Sequence, residues 1–389
     1  MIVPEKIIIL TSDKNEDVRA EALKDYINGK VFGYRVIIIN EEQFTDKVRV
    51  SWRNNLTTFF IRRKINIYDK LDSMRKLKLP KKQAGLPNYA LKKSQDNIES
   101  KGKYKKVLNI IKRFNAKAIF CFNTATLYQA VKSREKFGFD AEIVAFFESF
   151  TLDKNTALLG ADKYIVENKD FKEALIKSGI DKADIIVNKF PMPVSVFFEE
   201  DKNDCKAMFE LDSKPAVMLN AGSAGDGRII DIFKIFNEIQ DKFNFVIYCG
   251  ENEQLYIKLN KTVEEKKLKN YKILTTINHI EKLYMAMDCI ISVYDVTAVY
   301  LSKLYGKPLI IFAPKRDVEE SDIEYLVKNG DIAFAKDESD AIVKMFKATS
   351  SEPDEEKANT DDIRSATTTL ANYMINLLSV KKKQNNEAE

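Results

Sequence analysis

The sequence predicts an α/β protein made of two tandem parallel-sheet domains. Three observations predict it. Twelve short β-rich runs alternate with amphipathic helical segments along the 389 residues. The runs are continuously rich in Val and Ile rather than alternating, which suits parallel strands covered by helices on both faces. Near the middle, Pro191-Met192-Pro193 breaks the series with an extended connection. A chain of this length exceeds one ordinary core and suits two. Each half reads as a Rossmann-like unit.

In order, the first half offers strands at Lys6–Leu10, Arg35–Ile39, Ala118–Phe122, Glu142–Phe147, Tyr164–Val166 and Ile185–Val187, with helices such as Asp17–Asn28 and Tyr104–Phe114 between them. The second half offers Ala216–Asn220, Phe245–Cys249, Lys272–Leu274, Cys289–Val293, Leu309–Phe312 and Ile332–Ala335, with helices at Arg228–Asp241 and Val296–Tyr305. The predicted domains are therefore 1–190 and 191–348. A polar, acidic stretch follows and predicts a linker over 349–360. Leu370, Tyr373, Met374 and Leu377 then recur at helical spacing and predict a helix over 361–379, crossing back to the first domain. Residues 380–389 are expected to be a disordered tail.

Hydrophobic residues at 45% and charged residues at 31% describe a globular chain. No apolar stretch approaches the ~20 residues of a membrane-spanning helix, and the N-terminus lacks the basic start of a signal peptide. The expectation is a cytoplasmic protein. Cys121, Cys205, Cys249 and Cys289 lie far apart and read as buried free thiols in a reducing compartment. With one histidine, His279, and no CxxC pair, a Cys/His zinc site is excluded; neither a metal nor a cofactor is expected. His279 itself reads as a surface or capping residue. Between Lys47 and Arg113 stand 20 Lys/Arg against 4 Asp/Glu, a net of +16 in a chain whose total is +5. Trp52, Phe59, Phe60 and Tyr68 are interleaved with these charges. Such a segment suits an anionic membrane surface, and equally an ordinary solvated basic face. Nothing in the fold pattern supports nucleic-acid binding.

The strongest local motif is Gly222-Ser223-Ala224-Gly225-Asp226-Gly227, which joins a strand to a helix. Glycines let backbone approach a ligand, and the N–H groups of the following helix start favour a phosphate. A glycine turn is also a common structural solution. A second turn, Tyr294-Asp295-Val296-Thr297, should face the same cleft. Thr297 has a hydroxyl for a phosphate, whereas Asp295 reads as an N-cap that fills the anion site with its own carboxylate. A third cluster, Arg316 to Asp322, offers Glu319 and Glu320 to sugar or ribose hydroxyls; acidic residues are also routine at a helix start.

These elements resemble the family of plant monogalactosyldiacylglycerol synthases and bacterial processive diacylglycerol glucosyltransferases and, more loosely, the peptidoglycan enzyme MurG. Ile7–Ile27 is similar to the family's opening strand and AxALK helix. Phe114–Ile119 is similar to its FNPDxI, Phe190–Val194 to its GIPV, and Glu324–Gly330 to its ExLVxxG. Met285–Pro308 is similar to its MAASDLVITKPGGLTISEALAKGLP. The polar motifs depart from the family: Glu16 and Asp153 stand at family histidines, Tyr294-Asp295-Val296 at its PGG turn, Leu301 at its ribose-binding Glu, and Asp322 at an Asn.

The resemblance implies two tandem Rossmann-like domains facing a cleft, the GT-B type, and a hexosyltransferase using a nucleotide sugar, UDP-sugar by the family's habit, as donor substrate. The acceptor would be a lipid or another hydroxyl or glycan, at the inner face of the cell membrane. Gly222, Ser223, Gly225, Gly227, Arg228, Thr297, Lys315, Glu319 and Glu320 are the candidate donor-site residues. Arg228 or Lys315 would neutralise the leaving diphosphate, and Glu16, Glu148 and Asp153 are the candidate bases. The alternative is a catalytically silent relative that partners or scaffolds an active glycosyltransferase, which the altered polar motifs favour. A third option, an epimerase on the same fold, is disfavoured by the lone histidine.

Overall fold

The computed structural model describes residues 4–11, 14–40, 101–152, 160–236, 238–312, 317–350 and 360–387; side chains at 14–17, 101–103, 240, 317–318 and 380–387 fall outside that set. All twelve expected strands form. In the first half they are β1 (Glu5–Thr11), β2 (Tyr34–Asn40), β3 (Ala118–Cys121), β4 (Glu142–Phe146), β5 (Lys163–Val166) and β6 (Ile185–Val187). In the second they are β7 (Ala216–Asn220), β8 (Asn244–Tyr248), β9 (Tyr271–Leu274), β10 (Cys289–Ser292), β11 (Leu309–Phe312) and β12 (Ala333–Ala335). The described helices that matter below are α1 (Lys14–Lys30), α2 (Lys101–Phe114), α3 (Thr124–Phe137), α4 (Lys169–Lys177) and α5 (Lys202–Met208). In the second half and beyond they are α6 (Ile229–Phe236), α7 (Glu253–Glu265), α8 (Ile280–Ala286), α9 (Val296–Leu304), α10 (Asp317–Lys328), α11 (Glu338–Ser350) and α12 (Asp361–Glu387).

Two six-stranded sheets result, with every pair parallel. The first has the order β2-β1-β3-β4-β5-β6 and the second β12-β11-β10-β7-β8-β9. Counted from its own first strand, the second sheet reads 3-2-1-4-5-6, the Rossmann order. Its order reverses between β7 and β10, whose register runs from Val217↔Cys289 to Asn220↔Ser292. The first sheet reverses between β1 and β3. Both reversals open a crevice at the carboxyl ends of the strands, where ligands of such sheets bind.

The central strands are apolar on both faces because both faces are covered. Every residue of β3, β4, β7, β10 and β11 is buried. The edge strand β2 is less covered: only Val36 and Ile39 are buried. All four cysteines are free and buried; burial pushes the Cys249 and Cys289 thiols up to about 12. His279 is exposed and sits 3.1 Å from Glu281.

The closing helix is longer than expected. α12 continues to Glu387, where the sequence suggested a disordered tail, and α11 runs on to Ser350, inside the expected linker. α12 buries Ile363, Leu370, Ala371, Met374 and Leu378 along one face, in one core with Ala20, Leu23 and Ile27 of α1. Tyr34 and Ser379 hydroxyls meet at 2.8 Å. Thr367 Oγ1 accepts from the Met192 N–H and donates to the Met192 carbonyl, both at 3.0 Å, so the inter-domain proline segment is tied to this helix. α6 stops at Phe236, short of the expected Asp241. A 3-10 turn at Gln240–Lys242 then lets Phe245 stack on Phe236 at 4.2 Å between ring centroids.

Candidate functional site

The glycine turn after β7 is fixed from beneath. Asn220, at the end of β7, is buried; its Oδ1 accepts from Gly222 N–H at 2.8 Å and its Nδ2 donates to Ser292 Oγ and Tyr284 OH at 3.0 and 3.2 Å. A buried amide with these partners sets where the turn starts. Gly222 and Gly225 have φ of +73° and +71°, conformations only glycine adopts without strain. A Cβ on Gly225 would lie 2.3 Å from the Cys249 carbonyl oxygen. The close approach expected there is thus made to the segment after β8 rather than to open cleft. Gly227, by contrast, has nothing within 4 Å of where its Cβ would be. Among the described residues, no acceptor meets the N–H groups of Ser223, Ala224 and Gly227.

Arg228 is held by its own turn. Its Nε and terminal nitrogen reach Asp226 Oδ2 at 3.0 and 2.7 Å, and its N–H donates to Asp226 Oδ1 at 3.0 Å. Asp226 therefore closes the turn that leads into α6.

The turn after β10 lies alongside. Asp295 Oδ1 accepts from Thr297 N–H at 2.8 Å and Ala298 N–H at 3.4 Å, capping α9 as the sequence suggested. Its Oδ2 would be 3.8 Å from a Cβ on Gly222, so the two turns touch. Burial pushes the Asp295 carboxyl above its usual range, against the pull of the capping N–H groups and of Arg19.

Arg19 is the residue that sequence reasoning missed. It lies on α1, in the other domain, yet is only 2% exposed. Its guanidinium pairs with Glu148, donates to Thr297 Oγ1 at 3.4 Å, and lies 4.8 Å above the Phe190 ring. The available signal was its spacing: Arg19 precedes Leu23 and Ile27 by four and eight residues, on the buried stripe of α1. It brings Glu148 and Thr297, both expected site residues, to a single cation.

A second carboxylate spans the cleft. Asp322 on α10 is 1% exposed and accepts from the first domain: Thr151 Oγ1 at 2.6 Å, Thr151 N–H at 2.7 Å, Ser149 Oγ at 2.9 Å and Phe150 N–H at 3.1 Å. Tyr294 OH adds a bond of 2.5 Å. Burial still pushes the Asp322 carboxyl up. Nearby, Glu319 is buried and Glu320 is exposed. Leu301 is fully buried in the core of α9 and offers nothing to a ligand. Behind the latch, Glu167 accepts from Tyr300 OH at 3.0 Å and pairs with Lys189 at 2.6 Å. These residues border an inter-domain pocket of about 290 Å³.

Several expected residues are not placed here. Asp153, Lys315 and the side chain of Glu16 lie outside the described residues, as does residues 47–100 of the basic Lys47–Arg113 segment. Among the described residues there is no cluster able to hold a metal ion, and no helix long and apolar enough to cross a membrane.

No protein-family model matches the chain. It is 19% identical over 224 residues to a processive diacylglycerol beta-glucosyltransferase of Bacillus cereus, a match spanning 57% of this chain and 57% of that relative. Its structure is similar to that of Acinetobacter baumannii MurG, with a TM-score of 0.56 at 11% identity over 96% of this chain and all of the other. It is also similar to Neisseria meningitidis UDP-GlcNAc 2-epimerase bound to UDP-GlcNAc, with a TM-score of 0.60 at 13% identity over 95% of this chain and all of the other. Two Rossmann-like domains built on parallel six-stranded sheets are thus shared with proteins of the GT-B fold.

Proposed function

We propose that this chain is a glycosyltransferase that takes a sugar from a UDP-sugar donor and passes it to a hydroxyl acceptor. One observation carries the proposal. The glycine turn with its unsatisfied N–H groups and the start of α9 meet at the strand-order reversal of the second sheet, where backbone dipoles favour a diphosphate. The UDP-GlcNAc bound to the Neisseria meningitidis neighbour supports the choice of donor. In this assignment residues 191–348 bind the nucleotide sugar and residues 1–190 present the acceptor. Departure of the diphosphate would be stabilised by the turn's N–H groups and by cations at its rim, with no metal needed in that role. Arg228 is one such cation once it leaves Asp226; Lys315 is the other named by the sequence. Ser223 and Thr297 would add hydroxyls, and Glu319 and Glu320 would meet sugar hydroxyls. Glu16, Glu148 and Asp153 remain the candidate bases, with Glu148 needing release from Arg19 before it can take a proton.

The name of the diacylglycerol glucosyltransferase relative supports a lipid acceptor; a peripheral position on the inner face of the cell membrane would go with it, and the basic Lys47–Arg113 segment would be the contact. Sedimentation with vesicles tests this: capture by anionic but not neutral vesicles is expected, and equal capture by both rejects it.

The donor assignment is tested by calorimetric titration with UDP, UDP-glucose, UDP-galactose and UDP-N-acetylglucosamine. Saturable binding, weakened by a bulky side chain at the open Gly227, is expected. No heat from any of the four at millimolar concentration would overturn it.

A further inference from the structure

Both helix starts that open on the cleft already hold an acid from the chain itself, and each acid faces an arginine. Asp226 sits at the start of α6 against Arg228. Asp295 sits at the start of α9, within the electrostatic reach of Arg19 from the opposite domain. The Asp295 carboxylate also lies against Gly222, so an anion seated on both the turn and the helix must meet it.

From this occupancy we propose that Asp295 stands in for a donor phosphate, and that a nucleoside diphosphate sugar binds by exchange: Arg19 passes to the phosphate while Asp295 takes a proton from solvent. The inference rests on the donor-site assignment above. Charge balance is its reason. The groups facing Asp295 are Arg19 on α1, Glu148 beyond Arg19, Tyr248 on β8, Tyr284 on α8, Tyr294 in the turn itself and, behind that, Glu319 on α10. Burial pushes all three tyrosines up, so they stay neutral. Among these groups Arg19 is the cation. Once it turns to a phosphate, Asp295 is left beside negative groups, with its capping N–H groups shared with an incoming anion. A proton then neutralises it at least cost, the more readily because burial already lifts this carboxyl.

The sign follows. Bound donor raises the Asp295 proton affinity, so donor affinity is greatest at low pH and falls as pH rises through the ionisation of Asp295 in the complex. The probe is UDP-glucose, whose diphosphate diester does not titrate near neutrality. Titrations of the full chain from pH 6 to 8, in buffers of different ionisation heat, count protons directly. Wild type is expected to take up a proton, approaching about one per ligand, with affinity falling as pH rises. Asp295→Asn keeps the helix cap; it is expected to bind at least about tenfold tighter at pH 8, with no uptake and a flat pH profile. Binding by wild type with no proton uptake and no pH dependence overturns the exchange while leaving the donor site intact, whatever the variant does. Binding by neither protein overturns both.

Discussion

At position 19 the chain sets a guanidinium on a helix stripe that is otherwise apolar, and only a partner from another segment makes that tolerable. Glu148 supplies the charge, and Phe190 the flat surface. Arg19→Met should therefore cost about 3–5 kcal/mol, because it strands a carboxylate at the domain interface; the urea midpoint reads this. Asp322→Ala leaves the donors of Ser149, Phe150, Thr151 and Tyr294 without their acceptor, and a loss of about 3 kcal/mol is expected in the same measurement. The Asp322 carboxyl also gives a pH signature. Its folded-state pKa is raised, so between the unfolded value and the raised value the native state holds the extra proton. Wild-type stability from this group hence falls as pH rises through that window. The gap between wild type and Asp322→Ala should narrow from weakly acid toward neutral pH; a gap that widens would reject the assignment. The burial of Arg19 was legible in its spacing ahead of Leu23 and Ile27. Its partners were not, because they lie far away in the chain. Asp295 was legible as a cap, because capping is a contact between near neighbours.

At the scale of elements, the strands were the most legible part. Continuous Val/Ile runs such as Ile7–Leu10 and Ile290–Ile291 are buried on both faces, and nothing but a central parallel strand accommodates that. Helix ends were less legible. α6 gives way after Phe236 because Phe245, on the adjacent strand, recruits that ring, a contact no local pattern announces. The glycine turn was legible as a turn but not in its reason. Gly225→Ala places a methyl against the Cys249 carbonyl in a left-handed conformation. It should destabilise the second domain by about 2 kcal/mol or more with no ligand present. Thermal unfolding of the ligand-free variant checks this, and an unchanged midpoint would return Gly225 to the cleft. Gly227 is accordingly the position at which added bulk reports on a ligand.

At the scale of the whole molecule, the sequence predicted two domains and a returning helix, and the resemblance supplied the cleft between them. The contacts that close the cleft were not foreseen. Asp322 and Arg19 each join one domain to the other through side chains whose bonded partners are 173 and 278 positions apart in sequence. Loosening them should open the molecule. Asp322→Ala is expected to have a larger radius of gyration than wild type in small-angle scattering, with far-ultraviolet circular dichroism unchanged; equal radii would mean that the latch does not set the closed form.

The tie between Thr367 and Met192 has a mechanical consequence. The chain crosses between the domains at Pro191–Pro193, α12 packs in one core with α1 of the first domain, and this pair of hydrogen bonds fastens the helix to that crossing. A single strand of chain would act as a swivel and allow rotation about any axis. A crossing fastened to a packed helix is stiffer than that and resists twisting of one domain against the other. The stiffened crossing favours the one arrangement in which Arg19 meets Thr297 and Asp322 meets Ser149.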